Sequence, residues 1–427
     1  MRNKRATVLR WLAISLLAAG VAGAGIARGE TWKGKNLKLA IARAALRVGP
    51  LRIQPVLYLT DAGYDSNVYG WTERAVKDFW LQAGPGISVY VPAGRKIIFS
   101  VAESPRYVYF FETKRERAWN NYLQGEISLL FNKIFISGGG LLNNYKFRYP
   151  FEIDIWPRMK EKGAFGSFLF QAGKRTSFSV GARATDYEFE NLENEFANLK
   201  ARMNRTEQYV TATGYFQATP RVMFSLGAEY GTIDFDDVAA SFGDSESRAV
   251  YGGIDFSPMG KVRGSVKVGL KNIVNRTTNR KGFDGFFGSA SVSVRIARPL
   301  TVRGQYGRDT YFSVWYDNSM VVNNRYGAGA SFYVMRRRVR LDYDYSYNRD
   351  SYGAGAGVGG ASGGAGAAAG AGSERRIDRI YHSIGIFFRL GESIGIGVRG
   401  GTHWCKDSDY LRESRRTFAG LSLTYYY

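Results

Sequence analysis

Residues 419–427 read Ala-Gly-Leu-Ser-Leu-Thr-Tyr-Tyr-Tyr, and the chain stops there. Ala419, Leu421, Leu423, Tyr425 and Tyr427 alternate with Gly420, Ser422 and Thr424, the period of two of a strand with one apolar and one polar face. As the edge of a soluble sheet, this segment would offer an apolar, aromatic edge to aggregation. As the last strand of a closed barrel it pairs with the first strand, and its final aromatics suit the girdle at the membrane interface.

The same period recurs upstream, from Leu51 onward. Val262, Gly264, Val266, Val268 and Leu270 share one face of a strand, and Arg263, Ser265, Lys267, Gly269 and Lys271 the other. Val339, Leu341, Tyr343, Tyr345 and Tyr347 alternate likewise with Arg340, Asp342, Asp344, Ser346 and Asn348. In a sandwich the apolar face is core, whereas in a barrel it faces lipid. Periodicity alone does not choose, but the connections do. Short turns near Pro92-Ala93-Gly94, Asn132-Lys133, Gly173-Lys174, Pro220, Pro258-Met259-Gly260, Pro299, Arg336-Arg337 and Gly391-Glu392 alternate strictly with long polar stretches. The long ones fall at 61–77, 113–117, 149–158, 191–202, 236–245, 275–283, 315–319, 350–374 and 407–413. Eight short and nine long connections separate 18 strands, and boundary error widens this to about 16–18. An even count returns both ends to one side, with short turns periplasmic and long loops outside. The expected fold is all-β: a closed antiparallel transmembrane β-barrel over residues 51–427.

Composition agrees. The 427 residues include 52 Gly, 28 Tyr and 27 Phe, and mean hydropathy is −0.26, which excludes a helical membrane protein. One Cys (Cys405) forbids an internal disulfide and cysteine-based metal clusters. Two His leave little material for a zinc or haem site, so no metal and no cofactor is expected. Residues 1–24 read as a secretory signal: Arg2, Lys4, Arg5 and Arg10 lead an apolar run from Trp11 to Ile26. Ala22-Gly23-Ala24 supplies the small-x-small cleavage pattern. Cleavage removes four positive charges and takes the chain from +22 to +18. Residues 25–50 form a periplasmic segment with a possible short basic helix. Export without a helical span leaves strands as the means of insertion, in the cell outer membrane.

Little of the chain promises catalysis. His382 shares a face with Ile384 and Ile386, while His403 shares one with Gly395, Gly397 and Arg399. Strand parity thus keeps the two apart. Ser383 opposes His382 for the same reason, and no Ser–His dyad follows. Glu103-Ser104-Pro105 interrupts an apolar strand; either it is a bulge that turns Glu103 inward, or a register break without a role. Gly353–Gly372 is a Gly/Ala-rich segment holding a formal G-x-G-x-x-G at Gly355, Gly357 and Gly360. Lacking a strand–turn–helix context it reads as a flexible extracellular loop and not a phosphate cradle. The chain is therefore expected not to be an enzyme. No compact basic patch interleaved with aromatics points to nucleic acid. The expected partners of its basic excess are outer-membrane lipid, lipopolysaccharide phosphates and anionic solutes.

Several stretches carry a family likeness. Gly63-Tyr64-Asp65-Ser66-Asn67-Val68-Tyr69, Asn204-Arg205-Thr206-Glu207, Phe312-Ser313-Val314-Trp315-Tyr316-Asp317-Asn318 and Leu341-Asp342-Tyr343-Asp344-Tyr345 resemble the β-barrel porin 2 type of outer-membrane protein. The resemblance covers residues 49–427, apart from the Gly/Ala insert. It implies an outer-membrane barrel inserted by the outer-membrane assembly machinery, in some members tied to surface-polysaccharide secretion and its periplasmic export components. It brings no catalytic residues.

Taking the polar face as lumenal points Arg183, Arg263, Lys267, Lys271, Arg295, Arg303, Arg340, Arg389 and Arg399 inward, with Glu126, Glu229, Asp342 and Asp344. Nine cations against four acids leave the interior five positive. Lys267 and Arg295, and likewise Arg295 and Arg303, lie on neighbouring strands. Rings of Arg and Lys favour anions. The expected function is a porin-like channel for solutes or an exported polysaccharide, preferring anions. The alternative is a plugged barrel that presents its outer loops.

Overall fold

A computed structural model describes residues 32–69, 75–147, 156–190, 198–239, 241–256, 261–278, 282–314, 320–335, 338–352, 375–391, 394–408 and 413–426. Ala22, Ala24, Tyr427 and the Gly353–Gly372 segment lie outside them. A helix, α1 (Trp32–Ala42), comes first. A short strand (Leu46–Val48) then pairs back on Leu51–Ile53, through a turn that Gly49 makes at φ 56°, a left-handed conformation natural to glycine.

Eighteen strands follow and close a barrel. They are β1 (Leu51–Asp65), β2 (Asp78–Ala93), β3 in two pieces (Ile97–Glu103 and Arg106–Phe110), β4 (Ala118–Leu130), β5 (Ile134–Lys146) and β6 (Arg158–Gln171). Next come β7 (Thr176–Phe189), β8 (Arg205–Thr219), β9 (Val222–Phe235), β10 (Ser245–Phe256), β11 (Val262–Asn275) and β12 (Phe283–Arg295). The last six are β13 (Leu300–Phe312), β14 (Met320–Val334), β15 (Val339–Tyr352), β16 (Arg376–Leu390), β17 (Ile394–Asp407) and β18 (Glu413–Tyr426). A short helix, α2 (Leu199–Met203), precedes β8. Every strand pairs antiparallel with its sequence neighbours, and β18 pairs with β1 to close the ring.

The alternation sets the two surfaces. Leu57, Phe99, Ile127, Phe178, Leu226, Val268, Leu270, Ile384 and Leu421 are exposed on the outside, the belt a lipid bilayer covers. Their strand neighbours turn inward. The belt makes the fold that of an outer-membrane barrel.

At the closing seam Leu423 stands opposite Leu59 and Ile396, and Tyr425 opposite Leu57 and Ile394. Changing Leu423 and Tyr425 together to Asp puts two carboxylates on the outer face near the interface, costing on the order of 1 kcal/mol per site. The expected outcome is loss of the folded, heat-modifiable band on a cold denaturing gel, with unfolded chain accumulating in the periplasm. Normal membrane levels of the double variant would show that this strand is not the closing one.

The break in β3 is not a bulge. Glu103 pairs with Ile87 and Leu123, Tyr107 with Ala83, and Arg106 with Asn120, so the register is the same on both sides of Ser104-Pro105. Pro105 has no N–H to give the ladder, and the pairing lapses there without an added residue. Glu103 stays on the outward face with Ile87 and Leu142, its Oε1 accepting from Asn121 Nδ2 at 3.3 Å. The inward turn allowed by the sequence does not occur.

Candidate functional site in the barrel lumen

Register converts shared faces into neighbours. Across four successive strands Arg263, Ser293, Arg303 and Gly329 stand in one row, which Asp344 and Ser383 continue on β15 and β16. From Arg263 to Asp344 the row lines a recess of about 610 Å3 that also includes Gln305, Tyr381 and Arg399. Arg303 bonds Asp344 at 2.9 Å and Ser331 Oγ at 2.9 Å. Arg399 donates to Ser383 Oγ at 2.9 Å and lies 3.5 Å from the other Asp344 oxygen. One carboxylate thus answers two guanidiniums, while Arg263 stands further along the row. Ser293 Oγ, between Arg263 and Arg303, is buried and finds no hydrogen-bond partner among the described residues.

The other lumenal candidates are spread out. Arg183 covers the Tyr209 ring at 4.5 Å. Lys267 sits 3.6 Å above the Tyr251 ring and 5.5 Å from that of Phe287. That tyrosine lies flat over Gly227, where a Cβ would come within 2.5 Å of its Cζ, and reaches Thr213 Oγ1 at 2.8 Å. Lys271 pairs with Asp309 at 2.9 Å, and Arg340 with Asp342 at 2.8 Å. Arg295 and Arg389 are exposed near the short turns. Glu126 accepts from Ser128 Oγ at 2.9 Å, and Glu229 shares the inward face of Thr211 and Ala249. Lys267 does not stand beside Arg295. It faces Ser289, and Arg295 faces Thr301, so the two act at different levels of the lumen.

Sequence reading missed other inward groups. Arg106 stacks over Tyr58 at 4.7 Å and Tyr122 at 5.8 Å, hidden by the Pro105 break. Arg325 is an exposed inward cation on β14, and the polar Asn324 in the opposite face obscured its alternation. His403 follows the inward parity. His382 follows the outward one, its Nδ1 3.0 Å from Tyr343 Oη.

The long-loop end is folded in on itself. Asp65 pairs with Arg416 and accepts from Asn67 N at 3.0 Å, while Ser66 and Thr417 exchange bonds of 2.8 and 2.9 Å. The Asp-Ser-Asn motif therefore ties the first loop to β18. Val68, fully buried, accepts from Trp156 Nε1 at 3.3 Å. Tyr69 donates to Glu116, which pairs with Lys146 at 2.7 Å; burial and this carboxylate hold the phenol well above its ordinary value. Asn204 Oδ1 takes Phe189 N at 2.7 Å, placing α2 so that Leu199 and Met203 pack with Met159, Phe189 and Val314. Arg202 Nη1 bonds Val314 O at 2.9 Å, joining loops that rise six strands apart. Residues 315–318 of the Trp-Tyr-Asp-Asn stretch lie outside the described residues.

The short-turn end holds α1. Leu37 and Ile41, one turn apart on one helix face, pack against the inward residues Ile98, Leu130, Phe135 and Leu169. Lys33 lies 5.9 Å from the Phe135 ring, and burial against the wall pushes its ammonium below the ordinary value, with Glu126 opposing. The helix occupies the mouth as a packed insert.

No family model matches the chain, and no curated protein matches it in sequence. Solved structures match in fold. Pseudomonas aeruginosa OpdK, solved with vanillate, aligns over 88% of this chain and 98% of its own at 13% identity and a TM-score of 0.50. Pseudomonas aeruginosa OccK5 (OpdH) covers the same shares at 11% identity and 0.50, and OpdO from the same organism covers 88% and 97% at 11% and 0.50. A further structure of the Pseudomonas aeruginosa outer membrane protein OpdK gives 12% identity and a TM-score of 0.51. At such identities the likeness is one of fold: a closed outer-membrane barrel of 18 strands.

Proposed function

We propose that the chain is a porin-like outer-membrane channel whose lumen prefers anions. The observation that carries this reading is the row Arg263–Ser293–Arg303, with Arg399 close by and Asp344 as the shared acid. A low-dielectric wall focuses such a field into the lumen, and a planar guanidinium fork binds carboxylate or phosphate oxygens in pairs. Small organic anions fit a recess of about 610 Å3. An exported acidic polysaccharide, threading from periplasmic export components, is the larger cargo of the same chemistry. Reversal potentials in a salt gradient test the reading. The wild type is expected to favour anions, Arg263→Glu with Arg303→Glu to move selectivity toward cations, and Lys267→Glu with Arg295→Glu to do so more weakly from two separate levels. A cation-preferring wild type, or selectivity that ignores all four changes, would end the proposal.

A second reading has its own support. Loops meet across one mouth through Arg202 and Val314, and α1 fills part of the other. A plugged barrel that displays its loops and anchors lipopolysaccharide would look like this, and it would conduct no ions under any of these changes.

A further inference from the structure

One stretch of the wall is unzipped. Strands β12 and β13 pair only from Gly288↔Arg308 to Arg295↔Thr301. Both strands run on toward the long loops: Phe283–Phe287 keep their partners on β11, and Asp309–Phe312 theirs on β14. Between the two strands the ladder simply stops. At its last rung Arg308 Nε donates to Phe286 O at 3.2 Å, a side chain standing in for the missing backbone donor. Thr310 N turns to the Asp309 carboxylate at 2.8 Å, and its hydroxyl is buried with no partner among the described residues.

The reason lies in where the upper part of the β13–β14 hairpin packs. Phe312, Met320 and Val322 belong by parity to the outer face, yet they are buried in one cluster with Ile233, Phe235, Ile273 and Phe283, which point into the lumen. The Phe312 ring lies 5.1 Å from that of Phe235 and 5.3 Å from that of Phe242, with the Arg205 guanidinium 5.3 Å from its centroid. An outward-parity face can meet an inward face only if the hairpin has left the wall and leaned into the mouth. Just beyond it, Val314 is tied to α2 by Arg202.

We infer that the upper β13–β14 hairpin is a lid, closed in this structure, which opens by completing its ladder with β12. The two unpaired edges are already in register. Continued from Gly288↔Arg308, the ladder would set Phe287 against Asp309, Phe286 against Thr310, Gly285 against Tyr311 and Asp284 against Phe312. Zipping returns Phe312, Met320 and Val322 to the outer surface and gives up the apolar cluster over the mouth. Closing does the reverse. Backbone bonds are thus traded for apolar burial, two terms of comparable size, as a two-state element requires. The lid extends the channel reading, but it rests on its own geometry.

Paired cysteines test it in a Cys405→Ser background, because Cys405 packs against the same buried cluster as Tyr311. Directly opposed residues of an antiparallel pair lie about 4.5–5.5 Å apart, within disulfide reach, so Gly285→Cys with Tyr311→Cys cross-links across a complete ladder. The expected result is a disulfide that forms in folded protein under mild oxidation. It should admit a membrane-impermeant maleimide from the outside to a third cysteine at Arg325→Cys, and raise the open fraction of the channel until reductant is added. Arg202→Ala, which cuts the tie to Val314 far from the seam, should raise both signals without any cross-link. No disulfide in folded protein, or a disulfide that alters neither labelling nor opening, overturns the lid. Labelling that rises while no variant conducts ions would keep the lid and sink the channel.

Discussion

A variant lacking residues 32–44 is expected, if the barrel is a channel, to pass current through a wider opening. Its open-state conductance in a planar bilayer is expected to rise at least about twofold, because a helix with its side chains is a rod roughly 10 Å across. In the full chain that rod is held by Leu37 and Ile41 against Ile98, Leu130, Phe135 and Leu169. An 18-stranded barrel otherwise leaves a water-filled lumen. Leu37→Asp with Ile41→Asp should give the same increase with more current noise, since the helix then stays tethered but undocked. Conductance unchanged in both variants would mean that α1 lies clear of the conducting path. On the channel reading the helix and the lid are separable: α1 would set the amplitude of the open state, the lid how often it is visited.

The second large effect is on stability. Asp350 and Arg379 form an ion pair of 2.5 Å whose side chains are 0% and 3% exposed, and Asn323 Nδ2 also bonds Asp350 at 2.6 Å. They sit near the long-loop end, where Asp350 stands opposite Ile377 and Arg379 opposite Cys405. Removing one member leaves the other as an uncompensated buried charge, at a cost of about 3–5 kcal/mol. Arg379→Leu should therefore lower the unfolding midpoint in urea sharply. Asp350→Leu with Arg379→Leu should recover much of the loss, because an apolar pair of similar volume carries no desolvation penalty. Equal loss in the single and double variants would mean that the pair acts through shape and not through charge.

What the residues disclosed unaided was local in origin. In extended chain each side chain opposes the next, so the lumenal assignment of Arg183, Arg263, Lys267, Lys271, Arg303, Arg340 and Arg399 follows from counting by twos. Turn chemistry is equally local: Pro220, Pro299 and Gly391 mark short connections where no ladder bond is at stake. From these the 18 strands, their alternating connections and the closure of β18 on β1 could be read directly.

Register and loop packing are not local, and there the folded chain decides. Lys267 and Arg295 sit on adjacent strands but at different heights, because each strand's stagger is set by its partner. Arg263 and Arg303 become neighbours across Ser293 for the same reason. The break at Pro105 kept its register because the strands on both sides held it. The upper half of β13 carries the alternation of a wall strand, which by itself points Phe312 outward. It leans inward because Phe235, Phe242 and Phe283, far away in sequence, offer that ring a dry surface. The chain alone determined which side chains share a face. Only the closed barrel decided which of them meet, since meeting depends on partners that extended chain does not specify.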